Sequence, residues 1–466
     1  MSERQFGGET PDPNQTMTRA RAVLGSSVGM ALVRLTNMGL GFALSVLLAR
    51  TLGLEGFGTY AFAFAIAGLM GFVTQLGLPV LIVRESARAL AGDPQGAGAG
   101  RFVAIASWSA MVVAVAAALL LAGTLLVALG LSVSMLDGGA WMLPLAAVLA
   151  TMMGFMAAGG ALLNGQTKPL KGSVADGALR PFVFLVLVWA SASTLTPQSA
   201  MAAHVMAALC GAVLVWGLSA PALLRARAVS TTQERRWMSR TWIQSLIPFS
   251  LNTGLRVLNS RLDVLMVGLL VGPAEVALYA VANQLANFGV MGQTIVNAQA
   301  APRLAAALAR DDKPSAQHAV SLCALAAGTI GLAILGGVVL VGAPILRLAF
   351  GEAFASAFGV LVILALVQAI TSAMGPTALT LNMAGLERLT LRVSAISVGV
   401  NAVLNIPLVL AFGAEGAALS LLIAVAVGQT LMMRYAAQRT GLTTHVVFAL
   451  RSARVRHDLR RILWRS

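Results

Sequence analysis

LGLEGFGTYAFA occupies residues 52–63, and VGPAEVALYAVA occupies residues 271–282. Aligned, Gly53 falls on Gly272 and Tyr60 on Tyr279, an offset of 219 residues (272 − 53). Arg84 and Arg303, each following its motif, keep the same offset, and LLN at 162–164 answers TLN at 380–382 at 218. A repeat of that length in a chain of 466 residues means the protein is built from two copies of one unit.

The surrounding sequence says what kind of unit. Hydrophobic residues make up 58% of the chain and charged residues only 11%, where a soluble domain carries about a quarter charged. Apolar runs long enough to span a bilayer recur throughout. Residues 1–19 lack the apolar core of a cleavable leader. The reading gives twelve spans, at about 20–49, 58–83, 102–130, 141–164, 172–191, 198–221, 241–271, 276–300, 317–342, 355–383, 390–411 and 415–436.

With both termini cytoplasmic, 26 of the 32 basic residues fall in the cytoplasmic connections and tails. Arg50 and Arg347 fall on the other side. This is the positive-inside bias, and an odd number of spans would scramble it. Six spans per copy then insert both copies with the same orientation. The expected fold is an all-α integral membrane protein of two parallel six-helix lobes, related by an axis along the membrane normal, around a central cationic cavity. The expected organisation is a cytoplasmic tail at 1–19, an N-terminal lobe at 20–221, a basic linker at 222–240, a C-terminal lobe at 241–436 and a basic tail at 437–466. The net charge of +15 is spread over many short loops, so anionic membrane lipids explain it better than nucleic acid.

The four remaining basic residues, Arg34, Arg180, Arg256 and Arg261, lie inside the expected spans. In the seventh span Asn252, Arg256, Asn259 and Asp263 are spaced four, three and four apart, which puts them on one helical face. Arg34 and Asn37 share a face of the first span, and Asn283 begins a polar stripe on the eighth. Charged groups facing lipid are expensive, so these faces meet protein or water. Asp263 could pair with Arg256 or Arg261, and Asp176 with Arg180. Even so, two acids against four arginines leave two positive charges for something anionic. A diphosphate fits the planar fork of guanidinium. Asp263 is alternatively the site of a coupling H+ or Na+.

No P-loop or HExxH motif appears, and His204, His318, His445 and His457 do not cluster with carboxylates or cysteines, so the chain reads as neither an ATP-driven pump nor a hydrolase. No cofactor or metal is expected.

SVLLARTLGLEGFGTYAFAFAIAGLMGFVTQLGLPVLIVRESA (45–87), RLDVLMVGLLVGPAEVALYAVANQLA (261–286) and NAVLNIPLVLAFGAEGAALS (401–420) resemble, in order, segments of the bacterial polysaccharide repeat-unit flippases. The likeness spans about 20–436. These flippases belong to the multidrug, oligosaccharidyl-lipid and polysaccharide exporter superfamily. The resemblance implies alternating-access translocation of undecaprenyl-diphosphate-linked oligosaccharide repeat units across the bacterial inner membrane, alongside polysaccharide assembly proteins. It implies that Arg34 and Asp263 are cavity residues. Among relatives, lipid II flippases carry fourteen spans, against twelve here. Multidrug exporters serve cations and would favour acidic cavities. A membrane polymerase or ligase would need a larger external loop.

Overall fold

The computed structural model describes residues 13–92, 97–130, 141–229 and 239–451, and every regular element among them is helical. The first half comprises α1 (Pro13–Gln75), α2 (Leu78–Gly92), α3 (Ala97–Gly130), α4 (Met142–Gly165), α5 (Pro169–Val174), α6 (Arg180–Ala190) and α7 (Pro197–Val229). A single π-helical turn, Ala175–Leu179, joins α5 to α6. The second half comprises α8 (Ser239–Leu270), α9 (Pro273–Ala309), α10 (Lys313–Phe350), α11 (Phe358–Ala373), α12 (Thr377–Met383), α13 (Glu387–Thr440) and α14 (Val446–Arg451).

At 1.5 Å per residue the 63 residues of α1 far exceed a bilayer, and the helix is broken at Gly53, where φ is +70°. The 54 residues of α13 break in the same way at Gly413, with φ +57°. Gly272, with φ +136°, separates α8 from α9. A residue with a β-carbon rarely adopts these angles, so the repeat-matched pair Gly53 and Gly272 marks equivalent hairpin points. A connection was expected across 50–57; the structure makes it at one residue, and the helices run to its edge.

Eight stretches among the described residues are long and apolar enough to cross a membrane. Two of these, Gly29–Ala91 and Glu387–Thr440, contain the Gly53 and Gly413 breaks and so hold two crossings each. Helices α8 and α9 have 32 and 37 residues, and their polar stripes lower their hydropathy. Together these make the twelve crossings read from the sequence. Leu119 on α3, Val213 on α7, Leu340 on α10 and Val403 on α13 stay exposed, as side chains facing acyl chains should. Where a linker was expected at 222–240, α7 continues to Val229 and α8 begins at Ser239; residues 230–238, and 452–466 of the basic tail, lie outside the described residues.

The main apolar core runs through both halves. It joins Leu44, Leu48, Phe57 and Tyr60 to Val264, Val267, Tyr279, Phe350 and Phe354. Near the Gly53 break the seam is clasped. Phe57 meets Phe354 edge-on at 6.2 Å, Phe42 meets Phe350 at 5.8 Å, and Arg50 donates to the Ala349 carbonyl at 2.7 Å and to that of Leu348. Those carbonyls end α10, where a cation also meets the negative end of the helix dipole. Close approach depends on small residues. A β-carbon on Gly58 would overlap the Pro273 carbonyl oxygen. Gly58→Ala should therefore force α1 from α9 and lower stability by about 1–3 kcal/mol. Thermal unfolding of the protein in detergent micelles measures this, and an unchanged midpoint would mean the seam gives way freely.

Candidate functional site

Asp263 is buried, with 5% of its surface exposed. The Tyr279 hydroxyl donates to its Oδ2 at 2.7 Å, and the Asn401 and Asn405 amides donate to its Oδ1 at 2.8 and 3.0 Å. Ser420 Oγ donates in turn to Asn401 Oδ1 at 2.8 Å. Asn401 and Asn405 are one turn apart on α13, so both amides point at α8 from a single face. Asn405 Oδ1 is buried without a partner. The ion pairs considered for Asp263 with Arg256 or Arg261 do not form, because Asp263 points into its own half of the molecule. No cation pairs with it among the described residues.

The alternative pair does form. Arg180 Nη2 lies 2.8 Å from Asp176 Oδ1, four residues earlier across the π-helical turn. Arg180 Nη1 also donates to His204 Nε2 at 2.8 Å. Guanidinium cannot accept a hydrogen bond, so the neutral imidazole carries its proton on Nδ1, which faces the Tyr60 hydroxyl at 2.8 Å. His204 is buried between aromatic rings, 4.3 Å from Phe184 and 5.0 Å from Phe64. Arg261 crosses from α8 to lie over the outer ring, 4.9 Å from the centroid of Phe64, against Gly68. A π-face and a bare backbone meet this cation where a carboxylate was expected.

Arg34 and Arg256 belong to neither network. Both are exposed side chains lining clefts. Arg34 and Asn37 line a cleft of ≈ 520 Å³ formed by α1, α2, α4 and α5. Arg256 and Asn259 line one of ≈ 390 Å³ formed by α8, α12 and α13. Of the four arginines expected around a cavity, Arg34 and Arg256 thus line separate clefts, one in each half. Asn283 is half-buried on α9 and lines neither, and the Asn252 side chain lies outside the described residues. The sequence reading missed Tyr279, Asn401, Asn405 and Ser420 around Asp263, and His204 and Tyr60 around Arg180. The available signals were the pair of repeat-matched tyrosines and the family-like stretch 401–420, which holds Asn401, Asn405 and Ser420.

A polytopic helical bundle with polar clefts in two repeated halves is the scaffold of a membrane transporter, and known proteins bear this out. The family described as "Polysaccharide biosynthesis protein" matches residues 25–307, and the MatE family matches residues 248–406. The chain therefore belongs to the polysaccharide biosynthesis protein family. It is 27% identical over 201 residues to the probable flippase AglR of Haloferax volcanii, a match covering 42% of this chain and 40% of that relative's length. In fold it is similar to a multidrug resistance MATE family transporter in an inward-facing conformation. The TM-score is 0.69 at 14% identity, covering 88% of this chain and 98% of the other. It is also similar to the lipid II flippase MurJ in an inward closed conformation. There the TM-score is 0.67 at 12% identity, covering 88% and 86%.

Tyr279→Phe removes one of the three donors to the buried Asp263 carboxyl and leaves the ring in place. It should lower stability by about 1–3 kcal/mol, readable by thermal unfolding, whereas a neutral substitution would mean the carboxyl finds another donor.

Proposed function

We propose that the chain flips polyprenyl-diphosphate-linked oligosaccharides across the bacterial cytoplasmic membrane, with both termini on the cytoplasmic side. The observation that carries this reading is that Arg34 and Arg256 line clefts inside membrane-spanning helices without a carboxylate ion pair among the described residues. A charge in that position needs an anionic or strongly polar guest, and a diphosphate accepts two parallel bonds from a guanidinium fork. Membership of a polysaccharide biosynthesis family supports the saccharide.

The positive-inside orientation puts the clasped end, at Arg50, Phe57 and Phe354, outside. The clefts then lie towards the cytoplasm, where lipid-linked units are assembled. Translocation proceeds as the clasp opens and the halves close at their other ends. Asp263 couples this motion to H+ or Na+. Its carboxylate, the side-chain carbonyls of Asn401 and Asn405 after rotation of the amides, and Ser420 Oγ supply the oxygen ligands that a hard cation takes. Anionic lipids and polysaccharide assembly proteins are its neighbours in the membrane.

The test is complementation of a deletion strain. Arg34→Gln and Arg256→Gln should each reach the membrane in normal amount yet lower surface polysaccharide about tenfold or more, with lipid-linked units accumulating on the inner leaflet. Asp263→Asn should abolish the dependence of flipping on an ion gradient. Full complementation by the Arg34→Gln, Arg256→Gln double variant would end the reading.

A further inference from the structure

The two clefts are repeat-related. Arg34 precedes Asn37 by three residues, Arg256 precedes Asn259 by three, and the pairs are displaced by 222 (256 − 34, 259 − 37), about one helical turn beyond the 219 that separates Gly53 from Gly272. Asn164, which closes LLN, lines the first cleft, and Asn382, which closes TLN, lines the second. Each half thus presents an arginine and an asparagine from its first span opposite an asparagine from the end of its fourth. The duplicated unit carried a polar cleft, and both copies have kept it.

Each is lined by one arginine and one acid, and what differs is how the acid is held. In the first cleft the acid, Asp176, is bound by Arg180 at 2.8 Å, so with Arg34 the group holds one net positive charge. In the second cleft the acid is Glu387, which has no ion-pair partner among the described residues, and Arg256 and Glu387 sum to zero. Two further atoms distinguish it. Asn382 Oδ1 and Thr390 Oγ1, both on residues lining this cleft, are buried without a hydrogen-bond partner. Buried polar atoms in folded proteins are almost always satisfied, so two orphans on lining residues mark where a guest's polar groups belong once these side chains turn into the cleft.

The chemistry of that guest follows. An amide oxygen needs a donor, and a phosphate at neutral pH has almost none to offer. Glu387 also repels phosphate and accepts from hydroxyls. Ring hydroxyls each donate one proton and also accept, so two neighbouring hydroxyls of one sugar donate to Asn382 Oδ1 and to Glu387 while one of them accepts from Thr390. We propose that the clefts are unlike subsites for one ligand: the cleft at Arg34 takes the diphosphate of a lipid-linked saccharide, and the cleft at Arg256, Asn382 and Thr390 takes its sugar. This rests on the flippase reading above and adds to it a division of labour between the two halves.

The experiment compares two probes on the purified full-length protein in lipid nanodiscs, undecaprenyl diphosphate and the same lipid bearing one N-acetylglucosamine. The unaltered protein should bind the glycosylated probe more tightly. Thr390→Val and Asn382→Leu, nearly isosteric changes, should each lower the ratio of the two affinities about tenfold, the effect of losing one buried hydrogen bond of the stronger kind. Arg34→Gln should weaken both probes and leave the ratio unchanged. Equal affinities in the unaltered protein, a ratio that Thr390→Val leaves intact, or a ratio that Arg34→Gln shifts would overturn the division. If the unaltered protein binds neither lipid, the flippase reading fails with it, whereas binding of both without discrimination leaves that reading standing and removes only this one.

Discussion

A guanidinium group within a membrane-spanning helix must be met by something other than hydrocarbon, and four arginines impose that condition on this chain. Lipid exposure would cost each several kcal/mol. The helices are arranged so that none pays it. Arg180 is met by Asp176 and His204, and Arg261 by the ring of Phe64 and the bare backbone at Gly68. Arg34 and Arg256 face clefts. The first two solutions weld helices together and the last two leave charge accessible. The polar residues therefore divide into those that build the seam and those that await a guest.

Duplication makes the division visible, because matched positions have been put to different uses. Tyr60 and Tyr279 keep one place in the repeat, and both are buried. The first faces His204 and, through it, a cation; the second donates to a carboxyl. The N-terminal hub at His204 has partners on both ring nitrogens. The C-terminal hub keeps the unmatched Asn405 Oδ1 beside a carboxyl that no cation offsets among the described residues. A fully bonded cluster has little to gain from rearrangement, while an acid with a spare acceptor next to it can take up a cation without first breaking an ion pair. The ion coupling proposed for Asp263 therefore falls to the C-terminal half.

What could be read from the sequence was local. The twelve crossings follow from hydropathy and loop charge, and the stripe Arg256, Asn259, Asp263 follows from helical period, since all three lie within two turns. The pairing of Asp176 with Arg180 was likewise visible as an i, i+4 spacing. The partners of Asp263 were not, because Asn401 and Asn405 lie 138 and 142 residues away and nothing in NAVLNIPL shows which helix its asparagines face. The partners of His204 are hidden for the same reason, since its bond to Tyr60 spans 144 residues. The hairpin at Gly53 was misjudged because hydropathy averages over a window, whereas the break depends on one backbone angle. Asn283 lines neither cleft, since a polar stripe says only that a face avoids lipid, and protein can meet it as well as a cavity can.

Distances along the helices order these parts. Arg34 lies nineteen residues before Gly53 (53 − 34) and Arg256 sixteen before Gly272 (272 − 256), so at 1.5 Å per residue both stand roughly 24–29 Å from the clasped end. That approaches the thickness of the hydrocarbon core, so a guest in either cleft has nearly the whole membrane between it and the clasp. Asp263 stands nine residues before Gly272 (272 − 263), roughly 14 Å from the break, between cleft and clasp on the same helix. Helix α8 also carries Arg261 across the seam to Phe64. A change in the bonding of Asp263 therefore acts on an element that lines a cleft, bridges the halves and ends at the Gly272 break, the repeat counterpart of the break at the clasp. An ion bound there would shift all three at once, with no separate linkage required.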